Sequence, residues 1–419
     1  MAVVGAGWAG LAAAVQASAD GHAVTLFEMA GHAGGRARSV PVDGLALDNG
    51  QHILIGAYRE TLRLMRLVGV DPEQVLRRRP LELLYPDGTG LRLPRGNVHL
   101  AFAWAVARRR GWSWRERAAL LARTLAWARN GMRNPGVDTV AQLCATLPQR
   151  VQTDLIDPLC IAALNTPAAL ADATVFLRVL ADALFGGRGS SDLLLPASGL
   201  SQLLPQPALR WLERQGATLR LKHRVQAIAP ASAGWAVGGA EFDAVILACS
   251  AAEAARLASP LNAAWAARAE SLPYEPIATV YLRRTQPLAT PMVALRSDAA
   301  RPAQFAFDLG LLGQHADLAA FVISGADDWI ERGLAALAST VQLQAARDLP
   351  ASFGHQPEVV HTAMERRATF ACVPALARPP QVVACNLWAA GDYIDGPYPA
   401  TLEGAVRSGV GAARAVQAA

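Results

Sequence analysis

"AVVGAGWAGLAAAVQASADGHAVTLFE", residues 2–28, decides the fold class. An aliphatic run leads into a glycine turn, an alanine-rich stretch of helical length follows, and after Gly21 a β-rich run closes on Glu28. Strand, helix and strand in that order form the repeating unit of a parallel α/β sheet. Gly5, Gly7 and Gly10 keep G-x-G-x-x-G spacing: the first permits the tight turn, the second lets backbone approach a pyrophosphate, and the third lets helix and strand pack closely. Trp8 and Ala9 fall in the first helical turn, whose free N–H groups and positive dipole end suit a phosphate. Glu28 ends the second strand where a carboxylate accepts hydrogen bonds from a ribose, and its charge repels a 2'-phosphate.

Composition agrees with a compact protein. The 419 residues are 52% hydrophobic and 17% charged, enough for two or three domain-sized cores. The formal charge of +5 is carried by arginine, because Lys222 is the single lysine, and it favours phosphates or anionic lipid over cationic substrates. Cys144, Cys160, Cys249, Cys372 and Cys385 form no C-x-x-C pair and no Cys/His cluster, so neither a disulfide framework nor a metal site is expected and a reducing compartment is. Residues 1–19 carry no charged side chain and end in Ala-Ser-Ala, yet a basic leader is missing and glycines interrupt the apolar run, so no secretory signal is expected. Only four residues precede Gly5, which marks a short first strand or a misassigned start. No stretch supplies about 18 uncharged apolar residues free of breakers, and no transmembrane helix is expected.

Further elements return to the first unit. "GHAGGRARS" (31–39) sets Gly34, Gly35 and Arg36 directly after the Glu28 strand, where a guanidinium fork can meet the same diphosphate. Residues 195–228 read as helix then strand, with Lys222 on that strand and Val225 just after it, and "FDAVILACS" (242–250) reads as a buried strand. Residues 386–417 read as a strand ending at Gly391-Asp392, a Pro/Gly loop, and a helix starting near Leu402-Glu403. Convergence of distant segments implies a nucleotide-binding domain of residues 1–75, 195–250 and 385–419, interrupted by a substrate domain of residues 76–194 and 251–384.

The inserts differ in character. Residues 100–133 interleave Trp104, Trp112, Trp114 and Trp127 with Arg108, Arg109, Arg110, Arg115, Arg117, Arg123, Arg129 and Arg133. Indoles beside guanidinium groups suit a membrane interface, and the alternative is a helical hairpin packed on its own protein with a solvated basic face. Nucleic acid is not expected, since no recognition fold or aromatic platform accompanies the basic stripe. The second insert holds strand-like runs such as "EPIATVYLRR" and "AAFVISG", consistent with a mixed sheet roofing a pocket. One polar cluster remains, "LALDNGQHILIGAY" (45–58), reading as a turn between a strand and a helix.

"VVGAGWAGLAAA", "GGRAR", "LDNGQHILIGAY" and "GDYIDGPYPATLEGAVRSG" together resemble the squalene-associated FAD-dependent desaturase family, within the flavin amine oxidase and carotenoid desaturase superfamily. The resemblance runs end to end, and its family-specific part is D-N-G-Q-H with D-G-P-Y-P-A-T-L-E-G. It implies a two-dinucleotide-binding-domain fold holding FAD on the glycine turn, Glu28, Arg36, Asn49, Gly50, Gln51, backbone at Val225, Gly391, Asp392, and the helix start at Thr401, Leu402, Glu403 and Ala405. It implies reductive dehydroxylation of hydroxysqualene to squalene in hopanoid biosynthesis: protonation and loss of water leave an allylic cation, quenched by hydride from flavin N5. His52 is a candidate proton donor, with Asp48 either orienting it or, if buried and raised in pKa, serving as the acid itself; Asp395 and Tyr398 compete, and a cofactor-supporting turn is the alternative role of residues 48–52. A long isoprenoid substrate implies a cytoplasmic protein held peripherally at the inner membrane, and the resemblance names no electron donor. Two other readings are a carotenoid-type desaturase running hydride transfer the other way and a non-catalytic lipid-binding flavoprotein scaffold. A flavin amine oxidase fits less well, since those enzymes commonly use a lysine near N5 and Lys222 reads onto the adenine side.

Overall fold

The computed structural model describes residues 1–417. Its central sheet runs in the order Thr218–Arg220, Thr25–Phe27, Ala2–Val4, Val245–Leu247, Leu387–Ala389 and Val382–Ala384. The first five strands are mutually parallel, and the last adds antiparallel at the edge. The strands are apolar because both faces are covered. Val3, Leu26 and Ile246 pack under the helices Trp8–Ala19 and Leu402–Gln417, whereas Val4, Val245 and Leu247 face Ile228, Trp235 and the helix Ala251–Ala258. The chain departs from Ala2–Val4 to one side and returns on the other, so a crevice opens at its C-terminal end.

Close packing fixes that crevice. A Cβ on Gly10 would lie 1.8 Å from the Gly5 carbonyl oxygen, and one on Gly409 would lie 2.1 Å from the Ala9 oxygen. The helix behind the turn therefore touches both its own strand and the C-terminal helix without a side chain between them.

A second, antiparallel sheet lies over the crevice in the order Met292–Ala294, Phe305–Asp308, Leu318–Ser324, Tyr274–Arg283 and Val359–Phe370. It has its own core around Val280, Phe321 and Val341. A small sheet of Leu54–Ile55, Leu193–Pro196 and Leu76–Arg79 joins the two parts; the boundary expected at 194/195 cuts its central strand, and that at 75/76 coincides with the start of Leu76–Arg79. The sequence reading missed Leu76–Arg79, because a Leu-Arg-Arg-Arg run carries no apolar alternation.

The helical insert contains the hairpin Val98–Ala107 and Trp114–Arg129. Its tryptophans divide: Trp112 and Trp127 are buried, whereas Trp104 and Trp114 are 49% and 72% exposed. Several arginines are structural as well. Arg109 reaches Asp154, Arg117 donates to the carbonyls of Ala107 and Arg109, and Arg123 donates to that of Leu143. Among the described residues no helix is long and apolar enough to cross a membrane.

Candidate functional site

The glycine turn, the Gly34–Gly35 loop and the acidic strand end converge at the crevice. Gly34 N–H donates to the Ala6 carbonyl at 2.8 Å, and a Cβ on Gly35 would sit 3.2 Å from Gly7 Cα. Gly35 has φ +59°, so the two glycine loops meet backbone to backbone. Glu28 accepts hydrogen bonds from Ala6 N–H at 2.7 Å and Ala30 N–H at 2.8 Å, which orients its carboxylate at the rim and leaves lone pairs for a ribose. Trp8 is buried, with its indole N–H on the Ala37 carbonyl at 2.9 Å. It staples the two loops, so Trp8 and Ala9 present backbone rather than side chains.

Arg36 is a crosslink. Its guanidinium pairs with Asp392 at 2.6 Å and donates to the carbonyls of Ala368 at 2.6 Å and Arg367 at 3.1 Å. One side chain thus joins the glycine loop, the C-terminal segment and the roof sheet. The strand before Asp392 ends at Ala389 rather than at Gly391-Asp392, and Gly391 N–H is held by Ser408 Oγ at 3.1 Å. The C-terminal helix starts at Leu402 as expected, capped by Thr401, whose hydroxyl accepts from Gly404 N–H at 3.0 Å. Glu403 is turned away from the crevice: its buried carboxylate accepts from Glu60 N–H, Thr61 N–H and the Thr61 hydroxyl, and pairs with Arg407. It caps the helix Arg59–Leu67, which leaves backbone at Leu402, Glu403 and Ala405 as the helix-end contribution.

Residues 48–52 lie under the roof. The segment runs from the strand Leu45–Asp48 into Leu54–Ile55, so a short strand intervenes before the helix anticipated there. Gly50 takes φ +84°, with a built Cβ only 3.7 Å from Thr279 Oγ1. Asn49 donates to the Arg36 carbonyl at 3.0 Å and to Glu365 at 3.4 Å. His52 Nδ1 lies 2.9 Å from the Gly50 carbonyl, which only accepts, so Nδ1 carries the hydrogen and Nε2 carries the lone pair. Burial, reinforced by Arg36, lowers the His52 pKa below its ordinary value. The ring is neutral near pH 7, and among the described residues Nε2 has no hydrogen-bond partner.

Asp48 does something different. Its Oδ1 accepts from Ser39 Oγ at 2.7 Å and Leu200 N–H at 2.9 Å, and its carbonyl accepts from Tyr281 Oη at 2.7 Å. Burial pushes its pKa up to about 6, although the Ser39 and Leu200 bonds favour the anion. The side chain ties the hairpin to the loop after Pro196, and the backbone carbonyl ties both to the roof. Asp395 stands on the surface with its side chain 72% exposed. Tyr398 accepts from Arg178 at 2.9 Å, and Arg178 and Arg407 flank its ring. Neither resembles a shielded acid.

The residues present fit a dinucleotide with a polar ring system. Gln51 Nε2, Thr279 Oγ1 and Tyr393 Oη are buried without a protein partner, and unmet buried polar atoms call for a ligand or water. A Cβ on Gly7 would meet nothing nearer than Gly35 Cα at 4.0 Å, leaving its backbone open to a phosphate. Val225 is buried with its carbonyl taken by Arg256 at 2.8 Å, so its N–H is what it offers an adenine. Lys222 lies in the turn after Thr218–Arg220, not on the strand, with φ +56° and its side chain against Gly31.

The model for the flavin containing amine oxidoreductases matches residues 8–417. The chain belongs to that family. Its cofactor is FAD, and it is an oxidoreductase. It is 29% identical over 440 residues to hydroxysqualene dehydroxylase of Sinorhizobium fredii, covering 97% of this chain and 95% of that one. The Rhodopseudomonas palustris hydroxysqualene dehydroxylase is also 29% identical, over 100% of this chain and 98% of that one. An oxidoreductase from Methanosarcina mazei superposes with a TM-score of 0.76 at 17% identity, with 99% of each chain covered. In this flavoprotein, Thr279, Tyr281, Tyr274, Glu365 and Tyr393 lie around residues 36–52 and Asp392 and are candidates that sequence reading missed, Tyr274 as a neighbour of Arg36 and Asp392. Four of them sit on roof strands and belong to no motif; only Tyr393, beside Asp392, had a signal in its neighbour.

Proposed function

We propose that this oxidoreductase removes the hydroxyl of hydroxysqualene reductively, giving squalene, as a step of isoprenoid biosynthesis. The observation that carries the reading is end-to-end likeness to hydroxysqualene dehydroxylases in a chain whose D-N-G-Q-H loop faces the roof sheet. Loss of the hydroxyl as water needs a proton on oxygen, a hydride on carbon and exclusion of bulk water. When bound and reduced, FAD supplies the hydride. The glycine turn, Glu28, Asn49, Gln51 and Asp392, with backbone at residues 225 and 402–405, would hold it, in a domain of residues 1–75, 195–250 and 385–419.

His52 takes the substrate oxygen in this reading. Its Nε2 lone pair accepts the hydrogen of the substrate hydroxyl and orients the C–O bond. Burial and Arg36 make its imidazolium a stronger acid than a free one, so a proton reaching Nε2 passes readily to an accepting oxygen. Asp48 positions this loop and moves no proton. The apolar substrate comes from the inner membrane, which the protein meets peripherally; exposed Leu100, Trp104, Trp114 and Leu125 support that side of the helical insert as the contact.

The test is a single turnover. Anaerobic, photoreduced enzyme mixed with hydroxysqualene in detergent should oxidise its flavin and release one equivalent of squalene. Flavin that stays reduced with no squalene formed rejects the assignment, whereas reduction of the oxidised flavin by a less unsaturated polyene precursor, in a separate anaerobic mix, would favour a desaturase.

A further inference from the structure

We propose that an arginine-lined cleft beside the helical hairpin is a binding site for the phosphate headgroup of an anionic phospholipid. It rests on the reading above only in bringing the protein to a bilayer. The cleft measures about 610 Å³ and shares no residue with the flavin crevice. One wall comes from the strands Leu76–Arg79, Glu82–Leu84 and Gly90–Arg92, the other from the helix Val98–Ala107 and the turn after it.

Charge there is poorly compensated. Arg79 and Arg92 share one carboxylate, that of buried Glu82, at 2.6 and 3.2 Å. Arg78 pairs with Asp192 at 3.1 Å and with Glu73 at 3.9 Å, and Arg109 forms the floor, paired with Asp154 at 3.3 Å. Arg95, Arg108 and Arg110 are exposed and have no carboxylate partner among the described residues. No acidic side chain lines the cleft. Guanidinium groups converging on one concavity raise the local potential and offer planar forks that match phosphate oxygens.

The rim selects the lipid source over a soluble phosphate. Trp104 lines the cleft at 49% exposure, with the Arg108 guanidinium 5.0 Å from its ring centroid. Leu100, one turn earlier, is 73% exposed, and Trp114 and Leu125 extend the apolar border on the next helix. An indole and leucines beside an anion site suit the headgroup depth of a bilayer, and a soluble anion has no use for them.

The test uses FAD-loaded full-length protein and sedimentation with vesicles of phosphatidylcholine alone or with phosphatidylglycerol. Wild type should bind the phosphatidylglycerol vesicles and release them at high salt. The triple variant Arg95→Gln, Arg108→Gln, Arg110→Gln should bind roughly a hundredfold more weakly, at about fivefold per arginine. Its turnover in detergent and its flavin spectrum should be unchanged, which separates this site from the dehydroxylation reading. Arg129→Gln, Arg133→Gln, Arg214→Gln removes equal charge from exposed positions outside the cleft and should cost less than tenfold. Equal losses in the two triple variants, or equal binding to both vesicle types, overturn the site. Binding of inorganic diphosphate without vesicle binding overturns the lipid assignment.

Discussion

Replacing Asp48 with asparagine separates positioning from proton donation by a change in how stability depends on pH. The Asp48 carboxyl has its pKa raised from an ordinary 3.8 to about 6, with burial as the leading cause. The folded protein therefore keeps this proton to higher pH than the unfolded chain does. Its stabilising contribution is full below the unfolded value and is lost as pH rises through about 6. The gap amounts to about 3 kcal/mol, at about 1.4 kcal/mol per decade. Asparagine avoids that cost because it never ionises, and its oxygen can still accept from Ser39 and Leu200. Its amide nitrogen replaces Oδ2, which already lacks a partner, at a cost of about 1 kcal/mol. Near pH 4 the variant should be slightly less stable than wild type; at pH 8 it should be more stable by about 2 kcal/mol. Between pH 5 and 8 the difference should move by about 1.4 kcal/mol in favour of asparagine. Urea unfolding of both FAD-loaded proteins at several pH values measures it. A difference that stays flat, or moves toward wild type as pH rises, refutes the argument. Turnover within about fivefold of wild type is expected; a collapse beyond a hundredfold with FAD retained would make Asp48 the acid.

The other outcomes concern the histidine, the inward carboxylate and the helix crossing. His52→Gln should lower the single-turnover rate by about a hundredfold while keeping FAD, and the wild-type rate should fall with rising pH through a pKa below the ordinary histidine value; an unchanged rate and profile removes His52 from the chemistry. Glu403→Ala should cost about 3 kcal/mol in urea unfolding, because three hydrogen bonds at the start of the helix Arg59–Leu67 vanish. Glu403→Gln should leave the visible flavin spectrum unshifted; a shifted spectrum with unaltered stability would return this carboxylate to the cofactor. Gly409→Val places a side chain where a Cβ already lies 2.1 Å from the Ala9 oxygen, and should cost about 3 kcal/mol or more and reduce FAD retention on gel filtration.

What the sequence made legible is what backbone geometry demands locally. Gly5, Gly7 and Gly10 had to be glycine for reasons of turn, approach and packing, and the built Cβ positions at Gly5 and Gly10 clash as that reasoning requires. The C-terminal helix start was legible through Thr401 and the glycine that follows Glu403. Spacing did not reveal which way a side chain faces when its partner is remote. Glu403 lies at a helix start that reads as a cofactor cap, yet Thr61, 342 positions away, claims its carboxylate. Likewise Trp112 and Trp127 look interfacial beside their arginines but are packed inside the insert, Trp112 bonded to Asp154 at 3.0 Å.

The same distinction governs the loop of residues 48–52. Four polar residues in five positions suggest proton chemistry as a group, but their partners divide the work. Asp48 Oδ1 accepts from Ser39 and Leu200 while its backbone carbonyl accepts from Tyr281, so side chain and backbone together hold the loop in place. The Asn49 amide nitrogen donates to Arg36 and Glu365, which ties the loop to the diphosphate side and to the roof at once and leaves the amide oxygen for the cofactor. Gln51 keeps a buried, unpartnered amide nitrogen, which a bound acceptor can satisfy. His52 alone combines an atom with no protein partner and a pKa that its surroundings lower. In the proposed dehydroxylation the departing hydroxyl takes up a proton, and an imidazole whose pKa is lowered by burial beside Arg36 is the group of this loop suited to pass one on from solvent.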